Sequence, residues 1–267
     1  MADAYTHGHH ASVLRSHTWR TAENSAAYLI PRLRPGMRVL DVGSGPGTIT
    51  ADLAELVAPG RVVGVDASEE VVGTARRDGV ERDLANLEFT TGDAYALEFA
   101  DASFDVVHAH QVLQHVGDPV AMLREMRRVT AAGGVVAARD VDYEGVIWSP
   151  GSPELSEWLD LYLRVHRGVS GEPAAGRHLK AWARRAGFGE VACSASLWLF
   201  EADEDRAWWG GMWAERAVAS AFADNAIRLG LADRAKLERI SAGWQRWAED
   251  PDGWLLMPHA EVLATAE

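Results

Sequence analysis

The sequence predicts an α/β fold, a doubly wound and mostly parallel sheet with helices on both faces. Three observations predict it. Short apolar strands alternate with amphipathic helices from residue 37 onward, a glycine-rich turn joins the first strand to the first helix of that series, and successive strands end in polar residues that would share one crevice.

The first strand, at about 38–42, leads into V-L-D-V-G-S-G-P-G-T over Val39 to Thr48. Gly43, Gly45 and Gly47 permit a sharp turn that brings bare backbone close to a ligand, where an ordinary strand-to-helix turn needs one glycine. Ile49, Leu53, Leu56 and Val57 then recur at helical spacing, so a helix over about 48–57 opens with N–H groups able to receive a carboxylate or a phosphate.

The second strand, at about 61–66, ends in Asp66, which lies 23 residues after Gly43. That is the place of the acidic residue that holds ribose hydroxyls in dinucleotide-type folds. A helix over about 69–84 precedes the third strand, 87–92, which ends in Gly92-Asp93-Ala94, and the fourth strand, 104–109, runs into His110 and Gln111. Asp118 and Pro119 then suit the cap and first position of a helix over about 118–130, and Gly133-Gly134 stand before a fifth strand at about 134–140. Ahead of this series, Ser16 to Leu29 reads as a helix carrying Arg20, Thr21 and Asn24.

Beyond Asp142 the character changes, since ten of the eleven tryptophans lie from Trp148 onward. Helical patterns at about 153–168 and 176–186 lead to a strand-like Glu190 to Phe200. A helix-rich stretch over 203–248 follows, and then a strand-like Trp254 to Ala264. Trp208, Trp209, Met212 and Trp213 sit at helical spacing, either as a cap over a pocket or as the stretch's own aromatic core or a dimer contact.

Spacing and composition exclude several classes. A dinucleotide fingerprint G-x-G-x-x-G counted from Gly43 requires glycine where Thr48 stands, and the phosphate-loop pattern is absent, so a nicotinamide oxidoreductase is disfavoured. With 26 basic and 39 acidic side chains, a net charge of −13, the chain shows no electrostatic footprint for nucleic acid. The Arg-rich pieces Arg124 to Arg128 and Arg177 to Arg185 read as solvated helix faces. The single cysteine, Cys193, in an apolar strand-like run, reads as a buried thiol and rules out an internal disulfide. No run approaches the roughly 18 apolar residues of a membrane span and no signal sequence is evident, so a cytoplasmic protein is expected.

The chain resembles the class I S-adenosylmethionine-dependent methyltransferases, particularly the branch similar to ubiquinone and menaquinone biosynthesis methyltransferases. The resemblance rests on V-L-D-V-G-S-G-P-G, on V-V-G-V-D-A-S, on the G-D-A triplet and on F-D-V-V-H-A-H-Q-V-L-Q-H-V-G-D-P. It is dense over Tyr5 to Val141 and looser beyond. It implies a Rossmann-like, seven-stranded sheet closed by the two late strands as an antiparallel pair. In that reading residues 1–36 form an N-terminal lid and helix, 37–267 the methyltransferase domain, and 203–248 a helical cap insertion before the last strand.

The implied cofactor is S-adenosylmethionine, held by Tyr5, His10, Asp41, Gly43, Ser44, Gly45, Gly47, Asp66, Ala67, Asp93, Ala94, His110 and Gln111. The glycine loop approaches the methionine part, Asp66 holds the ribose, Asp93 with Ala94 contacts adenine, and His110 or Gln111 lines the cofactor near the substrate. The segment Tyr5 to Arg20 folds over the methionine end. Its histidines lack the fixed spacing and neighbouring carboxylate or thiol of a metal site, so no metal is expected.

The implied reaction is methyl transfer to a small apolar or aromatic acceptor, without a nucleic-acid or membrane partner and with a homodimer open. Candidate bases are His10, His110, His115 and Asp142, of which His110 is preferred as the catalytic residue. The alternative is a non-methylating protein that keeps the same pocket, because a fold alone does not separate the two.

Overall fold

Val39–Val42 (β1) is buried at every position, as a strand must be when helices cover both faces of its sheet. In a computed structural model, which describes residues 19–267, β1 pairs in parallel with Val62–Asp66 (β2) and with Phe104–His110 (β4). Leu87–Thr91 (β3) lies outside β2, and Thr130–Val141 (β5) lies beside β4. Trp254–Thr265 (β8) then runs antiparallel to β5 and to Val191–Phe200 (β7).

Helices Thr48–Val57 (α2) and Glu69–Glu81 (α3) form the first two crossovers. Pro119–Val129 (α4) is the crossover from β4 to β5. It starts as its sequence directs, with the Asp118 side chain accepting from the Ala121 N–H at 2.9 Å and Pro119 at the first position. Leu53 and Val57 of α2 pack on one face of the sheet. Leu123 and Met126 of α4, with Leu179 and Ala183 of Ala175–Arg185 (α6), pack on the other.

A second core is aromatic. Pro153–Gly168 (α5), Asp203–Ala219 (α7), Ala221–Arg228 (α8) and Arg234–Glu249 (α9) meet around Trp158, Trp213 and Trp244, whose rings lie 4.7–6.0 Å apart. Three helices thus fill the interval between the last two strands.

The structure departs from the sequence reading in four places. The sheet has eight strands rather than seven, because a 3-10 turn at Tyr143–Gly145 carries the chain from β5 into Ile147–Ser149 (β6), which pairs with β8 as well. Three residues ahead of a proline give no strand periodicity to read.

β5 begins at Thr130, not near 134, since Thr130 pairs with Phe104 and Gly133-Gly134 fall in the bulge before Val135 meets Val106. Cys193 is exposed, because β7 is the outermost strand there and its residues 192–195 face solvent on both sides. Within the described part of the expected N-terminal helix, only Ala22–Ser25 (α1) is α-helical. The Asn24 side chain turns back to the Thr21 N–H and to the Trp19 carbonyl, and a 3-10 turn takes over at Ile30–Arg32.

Candidate functional site

The strand order reverses between β1 and β4, and a cavity of about 970 Å³ opens there beyond the carboxyl ends of β1 to β4. Its first wall is the β1–α2 loop, where Gly43, Gly45 and Gly47 all have left-handed backbone, with φ of 73°, 56° and 87°. Two of these glycines answer to packing as well. A Cβ on Gly43 would lie 2.4 Å from a methyl of Val112, and one on Gly47 would lie 2.5 Å from the Phe89 ring. Gly43, Ser44, Gly45 and Pro46 line the cavity, whereas Gly47 is turned against Phe89 and is not in the wall. Ser44 Oγ is buried with no hydrogen-bond partner among the described residues.

Three aspartates stand on this side. Asp66 accepts from the Gly45 N–H and the Ser68 N–H, both at 3.0 Å, so its carboxylate fixes the loop while each oxygen keeps lone-pair capacity toward the cavity. Ala67 lies beside it in the wall. Asp93 accepts from the Tyr95 N–H at 2.8 Å and, with Ala94, continues the wall. Asp41 is deeper, with its two oxygens taken by Thr50 Oγ1 at 2.6 Å and His108 Nδ1 at 2.8 Å. It also lines the cavity, and its hydrogen bonds tie β1 to α2 and β4 beneath the loop.

The opposite wall comes from elements far apart in the chain: Arg20 before α1, His110 at the end of β4 with Gln111, Val112, Gln114, His115 and Val116 after it, Tyr143, Trp198 of β7, Trp209 and Arg216 of α7, and Met257 of β8. His110 is buried, and both ring nitrogens lack a partner among the described residues. Burial first, and then the charges of Arg139 and Arg20, hold its pKa well below the ordinary imidazole value, so the ring is neutral.

Gln111 has φ of +54° and is held on several sides. Its N–H donates to the Arg139 carbonyl at 2.7 Å, its Oε1 accepts from Arg20 at 3.0 Å, and its Nε2 lies 2.8 Å from His259 Nε2. Below this loop, Asp140 accepts from the Leu113 N–H at 3.1 Å, and burial pushes its carboxyl up to about 8.

Ten of the residues expected around the cofactor therefore line one cavity: Asp41, Gly43, Ser44, Gly45, Asp66, Ala67, Asp93, Ala94, His110 and Gln111. Tyr5 and His10, like candidate base His10 and most of the expected lid, lie outside the described residues. His115 lines the cavity with its ring 5.0 Å from that of His166. Asp142 does not line it, because its carboxylate is engaged by Arg177 at 2.7 and 2.8 Å and its role is to cap the 3-10 turn.

Met212 and Trp213 are core, and Trp209 is at once in that core and in the cavity wall. Sequence reasoning did not single out Trp198, Tyr143, Arg216, Gln114 or Met257. For Arg216 a signal existed, since it stands seven residues after Trp209 on the same helix face. For Trp198 and Met257 there was none, because only the β7–β8 pairing brings them to this end.

Comparison with known proteins bears on the family and the fold. Residues 33–187 match the family described as "Methyltransferase domain". An uncharacterized methyltransferase of Schizosaccharomyces pombe is 33% identical over 274 residues, 98% of this chain and 96% of that protein. A demethylmenaquinone methyltransferase of Listeria monocytogenes is 35% identical over 142 residues, 53% of this chain and 57% of that enzyme. Among solved structures, the YcgJ protein of Bacillus subtilis superposes with a TM-score of 0.61 at 22% identity over 92% of this chain and 99% of that one, a likeness of fold. Among the described residues no helix is long and apolar enough to cross a membrane.

Proposed function

The chain belongs to the methyltransferase-domain family, and on that premise we propose that it transfers a methyl group from S-adenosylmethionine to a small-molecule acceptor by in-line displacement. The observation that carries the reading is the loop wall. Gly43 and Gly45, both left-handed, line the cavity without side chains, the buried Ser44 Oγ is unpaired among the described residues, and Asp66 lines the same cavity with lone-pair capacity to spare. These groups fit a ligand that is zwitterionic at one end and carries a ribose in its middle.

Gly43, Ser44 and Gly45 would hold the methionine end, Asp66 with Ala67 the ribose, and Asp93 with Ala94 the adenine. Asp41 keeps β1, α2 and β4 in register beneath them, and Gly47 keeps the loop close to Phe89.

When bound, the cofactor would supply a methyl group on a positively charged sulfonium, with a neutral thioether as the leaving group. The protein's task is then to position the acceptor and exclude water. Gln111, held by Arg20, Arg139 and His259, fixes the loop that bears His110. His110, neutral and facing the cavity, accepts the proton of an O–H or N–H acceptor on a ring nitrogen.

The test is calorimetric titration with S-adenosylmethionine and S-adenosylhomocysteine, followed by incubation of the protein with methyl-labelled cofactor and a metabolite extract. Binding with label transfer to a small molecule is the expected result. Binding without transfer would assign the chain to the non-methylating reading, and no binding would overturn both.

A further inference from the structure

Helix α6 covers only part of the sheet face it packs on. Leu179 and Ala183 lie over Val262 and Ala264 of β8, and the first turn of the helix sits on Ala260, where a Cβ on Gly176 would lie 3.3 Å from the Ala260 nitrogen. Beyond that point the paired strands turn apolar side chains to solvent. Register sets Ile147 of β6, Leu256 of β8 and Leu199 of β7 side by side, with Pro258 beside Leu197 in the next row. Trp254, two residues before Leu256, stands on the same face.

Ile147 is 51% exposed, Leu197 57% and Leu199 53%, so half of the six large apolar side chains exposed among the described residues are gathered here. Trp254, Leu256 and Pro258 are half-buried, and none of these residues belongs to a buried core. Isolated exposed apolar residues are ordinary, whereas a contiguous apolar patch marks a contact surface. The exposure is built into the register. Trp198 and Met257 alternate with the patch residues and line the cavity from the other face, so a one-residue slip that hid Leu197 and Leu199 would put Trp198 and Phe200 in water.

We infer that a second copy of the chain docks on this face, patch against patch about a two-fold axis. Charge selects the occupant. No side chain of the patch is charged, and the cations on its α6 side are paired within the chain, Arg177 with Asp142 at 2.7 Å and with Glu144, and Arg167 with Glu144. A strongly acidic or basic partner finds no unmatched counter-charge there, and the net charge of −13 repels an anionic lipid surface. The same charge repels a second copy except across a neutral surface, which this patch is. A two-fold contact sets two patches of equal size against each other and buries both at once. Area sets the strength: three strands about 4.8 Å apart and three rows about 6.6 Å apart span roughly 300 Å². That is short of the about 800 Å² per partner of a standard stable interface, so the dimer is reversible.

The test is sedimentation velocity of the full chain from about 1 to 200 μM, at about 50 mM and about 500 mM salt. A monomer–dimer equilibrium is expected with a dissociation constant of about 10–100 μM, falling as salt rises, because salt screens the repulsion between the two chains and leaves the apolar contact in place. Leu199→Lys should weaken association at least about tenfold with the far-UV circular dichroism of the wild type. Ile227→Lys, at an apolar residue of α8 that is 48% exposed and outside the patch, should leave association unchanged. Ile147→Lys serves as the second variant, read in the same way, if Leu199→Lys does not fold. A monomer at every concentration overturns the inference, and so does a dimer that loosens as salt rises or that both patch variants leave unchanged. The methyl-transfer reading stands or falls separately.

Discussion

Nε2 of His259 lies 2.8 Å from Nε2 of Gln111, and this one contact fixes how the Gln111 amide faces the cavity. His259 Nδ1 is 3.1 Å from the Met257 carbonyl and so carries the ring proton, while burial holds the imidazole neutral. Nε2 is therefore the acceptor, Gln111 donates its amide N–H to it, and Gln111 Oε1 is left to accept from Arg20 and from Gln114 Nε2 at 3.4 Å. The last strand of the sheet thus orients a loop that begins 148 residues earlier.

Gln111 keeps a left-handed backbone that a residue with a Cβ resists, so its side-chain bonds and its backbone strain are separable. Gln111→Ala and Gln111→Gly lose the same side-chain hydrogen bonds, but only glycine relieves the strain. Urea unfolding should find both variants less stable than wild type, with Gln111→Gly the more stable of the two by about 1 kcal/mol. The reverse order would mean that φ at this position is not held at its positive value in solution.

Gly47 separates packing from ligand approach within the glycine motif. Gly47→Ala should cost about 2–4 kcal/mol, from the left-handed φ and from the contact of the new methyl with Phe89 at 2.5 Å. Adding Phe89→Leu removes the ring from that contact and should recover part of the loss, measured by thermal or urea denaturation. If the double variant were no more stable than Gly47→Ala alone, the ring contact would have no part in the requirement for glycine.

These glycines also show what was legible in the sequence. The β1–α2 turn, Asp66 at the end of β2 and Asp93 after β3 could be placed because local signals sit next to them: a strand, a glycine run, a helix start. The wall opposite the glycine loop was not legible in the same way. Trp198 and Met257, which line it, and His259, which holds Gln111, lie in strands whose partners are about 60 residues apart, and an apolar strand does not announce which end reaches the crevice. Cys193 was misread for a related reason, since the pattern of β7 is that of a covered strand while the fold leaves its first half at an open edge. The three-residue β6 lay below the length at which any period can be counted.

Asp66 is the sharpest test of the cofactor wall. If Asp66 holds the ribose as proposed, Asp66→Ala removes its charge-assisted acceptors and should weaken S-adenosylhomocysteine binding by about 100-fold, or about 3 kcal/mol. It also frees the N–H groups of Gly45 and Ser68, so a fall in melting temperature should accompany the loss. Equal affinity of wild type and variant by calorimetry would remove Asp66 from the ribose site.

The buried titratable groups set opposing pH dependences. Burial holds His110, His115 and His259 well below the ordinary imidazole value of 6.5 and pushes His166 down to about 4. As pH falls below 6.5, the unfolded chain takes up protons on these rings that the folded chain refuses, and each such proton costs up to about 1.4 kcal/mol per pH unit. Asp140 acts with the opposite sign: raised from 3.8 to about 8, it is protonated in the fold and ionised in the unfolded chain between those values, so its term declines with rising pH. Four imidazoles outweigh one carboxyl, so stability should rise from about pH 4.5 to about 7 and then fall gently toward pH 8. Urea midpoints across this range should show that maximum, and Asp140→Asn should abolish the decline on its alkaline side. A midpoint that fell steadily from pH 5 to 6.5 would contradict the buried, neutral state of the histidines.

The same neutrality governs the proposed role of His110. A ring already deprotonated at neutral pH is ready to accept a proton but is a weak base, so its contribution to turnover should be at most about 100-fold, toward the low end for general-base catalysis. His110→Gln keeps a polar side chain facing the cavity and should lower kcat by up to that factor, while S-adenosylhomocysteine affinity stays within about twofold of wild type. With an acceptor identified by label transfer, kcat/KM of the wild type should show no limb due to His110 near pH 6.5, because its pKa lies well below that value. A limb at pH 6.5–7 that vanished in His110→Gln would mean that the ring titrates as if in water, which its burial between Trp198 and His259, with ring centroids at 5.8 and 6.3 Å, does not allow.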